Sequence, residues 1–474
     1  MKRHTVKNIL PYFIIALMSM IILVKPFGSG DELWNYSFAK NISEGLVPYR
    51  DFNIVQTPLS AYIPALFMAL FGHGLFVHRV VGLVLLFAVT ALCYHLCKKT
   101  TESVFLGLIA ALFVACICLP YYIYNYNYLS ALIILIILEI EVCKKNESMT
   151  HSIIIGLLVG ILVLVKQNTG AFLFIANTVI CIINMAKFKM DKRIQLARAG
   201  ANIIPGICFI IYMLCVGAFY DFIDYAVVGI LTFVHRSTVF DLIAEAPFFI
   251  LYIAFIIFAY VFIFIRIRKN GVTPAQLSGV LFATAWLTIT YPLFDLFHLV
   301  CVYIVLAPVF LMYVKPRRYK PIEKFVCMLV VAAVSLISVA AFLPSSENDY
   351  IISTLNNYEN IPIDRKSDKN IGIIIEYIKQ KTQDGYRVRI TDYSAMAYKI
   401  PLDEYEKNWD MLLVGNIGTA SVDDLLQSPD KCLYLVYKFT DELGPQNHFQ
   451  IIEYIKQNYV KVEEVLYFDV YEEK

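Results

Sequence analysis

The chain has 474 residues, of which 59% are hydrophobic and only 16% are charged, and its mean hydropathy is +0.64. This composition excludes an ordinary soluble globular protein and indicates a polytopic membrane protein. The formal net charge of +2 combines 40 Lys and Arg with 38 Asp and Glu, so the overall charge gives no indication of nucleic-acid binding.

Apolar runs near or above the roughly 18 residues that cross a bilayer predict about eleven transmembrane helices. The first run has basic residues before it and no small-residue cleavage signature after it, so we expect a retained helix and not a signal peptide. The runs fall at 9–27, 77–97, 102–119, 128–143, 151–166, 170–186, 199–219, 247–265, 274–292, 298–314 and 323–343.

Lys and Arg predict the orientation, because short cytoplasmic loops collect them. With the N-terminus inside, every predicted inner loop is basic. The odd number of spans then places the C-terminal tail outside, in a multi-pass protein of the cell membrane. The predicted outer loops carry few cations, and each of these needs a reason: Lys40, Arg50, Arg79, Lys166 and Arg236.

The first predicted outer loop, 28–76, is the longest irregular insert between spans. Ser29 and Glu32 have the spacing of a capping box, which predicts a helix along the membrane surface. A second juxtamembrane helix is predicted at 58–71 with Thr57 as its N-cap, and it is too short to span comfortably.

The tail at 344–474 is much more polar than the rest of the chain, which predicts a boundary between a transmembrane domain at 1–343 and an extracytoplasmic domain. Hydrophobic periodicity in the tail predicts a small α/β fold. The predicted helices lie at 371–381 and 447–458, and the predicted strands at 386–390, 432–437 and 465–471.

Several short motifs occur in a characteristic order. An acidic pair follows the first span, and then come "GLVPYRDF" (45–52), "QTPLSAYIPALFMALFG" (56–72), "KQNTG" (166–170), "YPLFDLFHL" (291–299) and "DMLLVGNIG" (410–418). The order resembles the GT-C superfamily of integral-membrane glycosyltransferases, in the branch of protein O-mannosyltransferases and the lipid A aminoarabinose transferase. The resemblance implies a sugar donor carried on a polyprenyl phosphate and an essential acidic residue in the first outer loop.

Asp31 and Glu32 form the acidic pair at the end of the first span. Sugar transfer needs a base that deprotonates the acceptor hydroxyl, and a carboxylate can supply it. The resemblance favours Asp31 as this base, with Glu32 as a second catalytic candidate. The alternative is that both residues cap a helix and complement its dipole.

A departing polyprenyl phosphate needs cations at the outer membrane face. The candidates are the outer cations Lys166, Arg236, Arg79 and Arg50. Each could instead be an interface residue whose charged end reaches the water.

Asp295 and His298 lie three residues apart near Tyr291, at a predicted outer turn. Such a pair could contact sugar hydroxyls or the donor phosphate, or it could tie two helices together by a hydrogen bond. Tyr126 is a further candidate sugar contact, in the stretch "PYYIYNYNYL" (120–129), although tyrosines at an interface are more often a membrane anchor belt. One Asp and one His do not make a metal site. The enzymes that the chain resembles differ in their use of metals, so a divalent metal stays possible and no cofactor is assigned.

These features predict a glycosyltransferase that moves a sugar from a polyprenyl-phosphate donor to a cell-envelope glycan, lipid or protein. Membrane lipids are expected partners and nucleic acid is not. The alternative is a transporter or flippase of lipid-linked sugars, which would carry ionisable residues at mid-membrane depth in two repeated halves. A third possibility is an inactive sensor that binds the lipid-linked sugar.

Overall fold

A computed structural model gives the fold of the chain. It describes residues 2–28, 30–119, 122–143, 148–232, 238–245, 249–291, 293–314, 349–392, 395–428, 430–440 and 448–473, with isolated positions between 320 and 329. Two compact units are present. Unit 1 comprises Met1–Ile22, Gly82–Ile210 and Arg236–Leu343, whereas unit 2 comprises Leu23–Val81, Ile211–His235 and Pro344–Lys474. Unit 2 therefore contains both the first predicted outer loop and the tail.

Helices dominate the chain before residue 312. In chain order they are α1 (Lys2–Ser19), α2 (Gly30–Ser43), α3 (Leu59–Phe71), α4 (Leu75–Thr101), α5 (Val104–Cys118), α6 (Tyr126–Cys143), α7 (Met149–Val165), α8 (Gln167–Ala186), α9 (Lys192–Ala201), α10 (Ile204–Cys215), α11 (Phe219–Phe222), α12 (Gly229–Thr232), α13 (Val239–Glu245), α14 (Ile250–Asn270), α15 (Pro274–Trp286) and α16 (Leu296–Leu311). Short 3₁₀ helices at Met20–Val24 and Leu287–Thr290 extend α1 and α15, and a π-helix at Ile223–Val228 joins α11 to α12.

Short polar side chains begin several of these helices, as expected of N-caps. Ser103 accepts a hydrogen bond from the backbone N of Leu106 at 3.2 Å where α5 begins. Thr273 and Gln276 form a capping box at the start of α15. Local sequence therefore determines where these helices begin.

Five helices are long and apolar enough to cross a membrane: Leu75–Thr101, Tyr126–Cys143, Gln167–Ala186, Lys192–Cys215 and Ile250–Asn270. Shorter apolar helices include Ile9–Val24, Val104–Cys118, Met149–Val165 and Leu296–Leu311. Together with α15, they lie on the predicted spans from 9–27 to 298–314. The span predicted at 323–343 lies outside the described residues, so the count of eleven stays a prediction.

Glycines let α7 of unit 1 approach its neighbours closely, as small residues commonly do in membrane proteins. A Cβ added at Gly156 would lie 2.2 Å from the carbonyl oxygen of Arg198, and one at Gly160 would lie 2.4 Å from that of Asn202. Side chains at these two positions would therefore force α7 away from α9.

Arg198 is fully buried in unit 1, although the sequence placed it in a basic inner loop. Its guanidinium donates to Asn177 Oδ1 at 2.7 Å and pairs with buried Glu141. This ion pair links α9 to α6. Each charge compensates the other, which lowers the free-energy cost of burying them in a membrane protein.

Helix α2 of unit 2 is buried on nearly all sides. The sequence predicted a helix along the membrane surface, yet its polar residues Asn35, Ser37, Lys40 and Asn41 are buried. Asn35 Nδ2 donates to the carbonyl of Asp31 at 2.8 Å, so internal hydrogen bonds make this burial tolerable. The proposed Ser29 cap lies outside the described residues.

Helix α3 starts one residue later than predicted, since Pro58, and not Thr57, occupies the cap position and makes no side-chain cap hydrogen bond. Gly72 ends the helix with φ +101°, a backbone conformation that suits glycine.

The tail contains two sheets. Strands β1 (Tyr350–Ile352) and β2 (Pro362–Asp364) pair antiparallel. Strands β3 (Tyr386–Ile390), β4 (Lys431–Tyr437), β5 (Val460–Val465) and β6 (Phe468–Glu472) form a second sheet in the order β3-β4-β6-β5, in which only β3 and β4 are parallel. The tail helices are Arg365–Gln383, Met396–Lys399, Val422–Leu426 and Phe449–Asn458, with a 3₁₀ turn at Ile400–Leu402.

The predicted tail helices and strands are present as elements, and β3 has the predicted bounds. The sequence missed β1, β2 and β5. Strand β5 has largely exposed side chains, which gives no alternating apolar signal. A hydrophobic core that includes Trp409, Leu412, Val436 and Ile451 packs against the second sheet.

Candidate functional site

The structure separates the two acidic residues of the first loop. Asp31, in the first turn of α2, is exposed, whereas Glu32 is 4% exposed. Glu32 accepts two hydrogen bonds from one guanidinium, from Arg79 Nε and from Arg79 Nη2, each at 2.9 Å. This is the bidentate arrangement that makes Arg–carboxylate pairs strong.

Arg79 also donates to the carbonyl of Lys25. Burial raises the pKa of Glu32, but the Arg79 charge and its hydrogen bonds outweigh it, and the net pKa lies below the ordinary value. Glu32 therefore stays ionised at neutral pH with both oxygens occupied, which is a poor arrangement for accepting a proton. Asp31 is the accessible carboxylate of the pair.

Arg50 is held by its neighbour in sequence. Its Nε and Nη2 each lie 2.8 Å from an oxygen of Asp51, and its Nη1 is 3.3 Å from the carbonyl of Val216. The side chain is 45% exposed. Phosphate binding by Arg50 and Arg79 stays a prediction, and the structure gives each of them a carboxylate partner.

Lys166 of unit 1 lies between α7 and α8, where the backbone is extended (φ −151°). It is 7% exposed. Its Nζ donates to Asn127 Oδ1 at 3.0 Å and lies 5.1 Å from the ring centroid of Tyr126. The start of α6 therefore supplies an amide and an aromatic face to a buried ammonium group, a cation–π geometry.

Asp295 and His298 occupy the start of α16. Asp295 Oδ1 accepts from the His298 backbone N at 2.8 Å and lies 2.9 Å from His298 Nδ1. Burial raises the pKa of Asp295, but the hydrogen bond from His298 and the charges of His298 and Lys166 lower it on balance. Asp295 thus caps its own helix and acts electrostatically on Lys166, so this pair does not tie two helices together.

Tyr291 is 58% exposed, and its carbonyl accepts from Asn168 Nδ2 at 3.0 Å. Three separate stretches therefore meet in one part of unit 1, which we call the Lys166 cluster. It contains the predicted contact residues Tyr126, Lys166, Tyr291, Asp295 and His298, together with Asn127 and Asn168. Sugar or phosphate contact by the five predicted residues stays a prediction.

The tyrosines near residue 125 are packed inside unit 1. Tyr122, Tyr124 and Tyr128 are at most 3% exposed, and the Tyr122 hydroxyl donates to the carbonyl of Gly82 at 2.7 Å. Rings of an anchor belt would face lipid and water, so the favoured interpretation was wrong for these three residues. Internal packing and hydrogen bonding account for them instead.

Lys40, in the last turn of α2, is fully buried, which the sequence did not predict. Its Nζ pairs with Glu44, with Tyr405 and, at 2.7 Å, with Asp403 Oδ1. The Tyr405 hydroxyl also donates to Glu44. The sequence singled out Lys40 only as one of the few outer cations. Glu44 is four residues away, whereas Asp403 and Tyr405 lie more than 350 residues away in the sequence.

The remaining predicted phosphate ligand, Arg236, lies outside the described residues. Among the residues that the structure describes, no group of three or more His, Cys, Asp or Glu side chains is arranged to hold a metal ion.

Comparison with known proteins places the fold. No protein-family model and no curated protein matches the sequence. The crystal structure of ArnT from Cupriavidus metallidurans bound to undecaprenyl phosphate is 11% identical, with a TM-score of 0.58, over 98% of this chain and 98% of that chain. The apo structure of ArnT is also 11% identical, with a TM-score of 0.59, over 99% of this chain and 98% of that chain. The chain therefore shares the fold of ArnT over nearly its whole length, and the fold that the resemblance implied is confirmed.

Proposed function

We propose that this chain is a membrane glycosyltransferase that moves a sugar from a polyprenyl-phosphate carrier to a cell-envelope glycan, lipid or protein. The observation that carries the proposal is the likeness to ArnT over 98% of both chains, because one ArnT structure is bound to undecaprenyl phosphate. In the same proposal the N-terminus is cytoplasmic, and the transfer takes place on the outer face of the membrane.

Lys166 is the first candidate for holding the carrier phosphate. In the described part of the chain its hydrogen-bond partner is the neutral amide of Asn127, while Asp295 acts on it electrostatically. A buried ammonium group without a close carboxylate favours an anionic ligand, because the ligand would compensate its charge. Asn127 and Tyr126 orient the side chain for this contact.

The proposed transfer is a direct displacement at the anomeric carbon. The bond between the acceptor oxygen and this carbon forms while the bond from the carbon to the phosphate oxygen breaks, and the phosphate leaves with the electron pair. Asp31 takes the proton of the acceptor hydroxyl, as a general base does. Lys166 stabilises the charge that develops on the departing phosphate.

The buried Glu32–Arg79 pair supports this assignment indirectly. Glu32 and Asp31 are adjacent in the first turn of α2, so a rigid pair at Glu32 limits the positions that Asp31 can take. In this view Glu32 and Arg79 are positioning residues, and Asp31 is the group that touches the acceptor.

Binding of undecaprenyl phosphate to the purified protein in lipid nanodiscs tests the carrier assignment. We expect Lys166→Met to weaken binding of undecaprenyl phosphate at least tenfold and to leave undecaprenol binding unchanged. Lys192→Met is the matched control, since Lys192 is an exposed lysine at the start of α9. Equal binding of the two lipids by wild type, or full binding by Lys166→Met, would contradict the assignment.

A further inference from the structure

The tail of unit 2 contains a cleft that the proposed transfer does not use. It has a volume of about 410 Å³, and its lining includes Tyr386, Arg387, Lys399, Glu404, Glu406 and Asp430. We call it the tail cleft. Its size is within the range of about 300–1,000 Å³ that small-molecule sites commonly have.

Lys399 lines the tail cleft although it is only 3% exposed. Its Nζ lies 3.5 Å from Asp410 Oδ1 and 3.7 Å from Glu406 Oε2. Both distances are at or beyond the limit of a good hydrogen bond. Neither of these two oxygens has a hydrogen-bond partner among the described residues. Lys399 Nζ can therefore donate further hydrogen bonds, and Asp410 Oδ1 and Glu406 Oε2 can accept them. Buried polar groups rarely lack hydrogen-bond partners, so this arrangement favours a bound ligand or water.

The walls of the cleft are held in place by other contacts. Glu406 Oε1 accepts from Arg389 Nε at 2.8 Å, and the Arg389 guanidinium lies 4.8 Å from the ring of Trp409. Arg387 Nη2 lies 2.6 Å from Asp430 Oδ2 at the half-exposed rim. Because these polar side chains are already fixed, a ligand that binds them would pay a smaller entropic cost for ordering them.

The charges of the cleft nearly compensate one another, since two cations face three carboxylates and most of them are paired. Burial also raises the pKa of Glu404 above its ordinary value. A strongly anionic or cationic ligand would find little net attraction. A hydroxyl group suits the site better, because it accepts from an ammonium group and donates to a carboxylate at once.

We propose that the tail cleft is a binding site for a neutral saccharide. Sugar hydroxyls bridge Lys399 and Glu406, and the ring of Tyr386 supplies an apolar face beside them. The inference does not depend on the transfer reaction, because it needs neither Asp31 nor the carrier phosphate.

The test uses the full-length protein in lipid nanodiscs free of maltoside and glucoside detergents, whose headgroups are themselves sugars. Ligand-observed NMR titration would measure binding of glucose, mannose and N-acetylglucosamine, with glucosamine as the charged comparison. We expect at least one neutral sugar to bind with a dissociation constant near or below about 1 mM. Lys399→Met and Arg387→Ala should each weaken that binding at least tenfold.

Lys456→Met is the control, since Lys456 bonds Thr440 and does not line the cleft. If Lys399→Met fails to fold, Arg387→Ala still carries the test, because Arg387 is 46% exposed and its largely buried partner Glu406 keeps its ion pair with Arg389. Asp31→Asn should bind sugar as wild type does. The proposal is overturned if wild type binds no neutral sugar, if only glucosamine binds, or if the folded cleft variants bind normally. Sugar binding that is lost in Asp31→Asn alone would place the sugar in the transfer site and also overturn it.

Discussion

Removing one partner of the Glu32–Arg79 pair should destabilise the protein far more than changing the neighbouring Asp31. The two side chains are 5% and 1% exposed and share two hydrogen bonds of 2.9 Å. Glu32→Gln or Arg79→Gln leaves the other charge buried without its partner, which costs about 3–5 kcal/mol in comparable cases. Asp31→Asn changes an exposed residue, so its effect should stay within about 0.5 kcal/mol.

Equilibrium unfolding in denaturant of wild type, both single variants and the Glu32→Gln/Arg79→Gln double variant would measure this coupling. The double variant removes both charges, so it should be more stable than the sum of the two single losses predicts, by about 2 kcal/mol or more. Simple additivity, or a stable Glu32→Gln variant that loses activity while Asp31→Asn retains it, would refute the positioning role of Glu32.

Three further substitutions test other parts of the structure. Lys40→Met removes a buried ammonium group, but Glu44 and Asp403 are 24% and 55% exposed and stay hydrated. The free energy of unfolding should therefore fall by about 1.5–3 kcal/mol, whereas Lys369→Met, at an exposed site, should change little. Asp295→Ala removes the side chain that caps α16, so a loss of about 0.5–2 kcal/mol is expected from thermal unfolding, and no loss would contradict the cap assignment. Burial raises the pKa of Asp410 from 3.8 to about 6. The folded state therefore holds this proton more tightly than the unfolded state. Its contribution to stability declines as pH rises from about 4 to about 6, by up to about 3 kcal/mol. Asp410→Asn should flatten this part of the stability profile relative to wild type, and an unchanged profile would contradict the raised pKa.

The sequence predicted the helices well because membrane spans leave a strong local signal in hydropathy. The juxtamembrane helices α2 and α3 were also predictable, since turn residues and prolines mark their ends. The burial of α2 was not predictable, because its polar residues find partners such as Asp403 and Tyr405 that lie hundreds of residues away. Short strands such as β1 and β2, each of three residues, carry too little pattern to be recognised.

The candidate site could be predicted in composition but not in arrangement. The scarcity of outer cations singled out both Lys166 and Arg79, and the structure shows how their partners differ. Arg79 has a carboxylate partner, whereas Lys166 has an amide. The sequence also did not show which residue of the acidic pair is buried. Adjacent residues on a helix point about 100° apart. One of them can therefore be buried while the other remains exposed.

The central claim is sugar transfer from a polyprenyl-phosphate carrier, and mass spectrometry of carrier-linked sugars and envelope glycans tests it most directly. The comparison uses a strain that lacks the gene, complemented at equal expression by wild type or by Asp31→Asn. We expect that wild type alone restores the missing sugar on the envelope and that the carrier-linked donor accumulates with Asp31→Asn. Full restoration by Asp31→Asn would contradict Asp31 as the base. An envelope that gains no sugar from wild type, while the lipid-linked sugar changes sides of the membrane, would contradict the transferase and support a flippase.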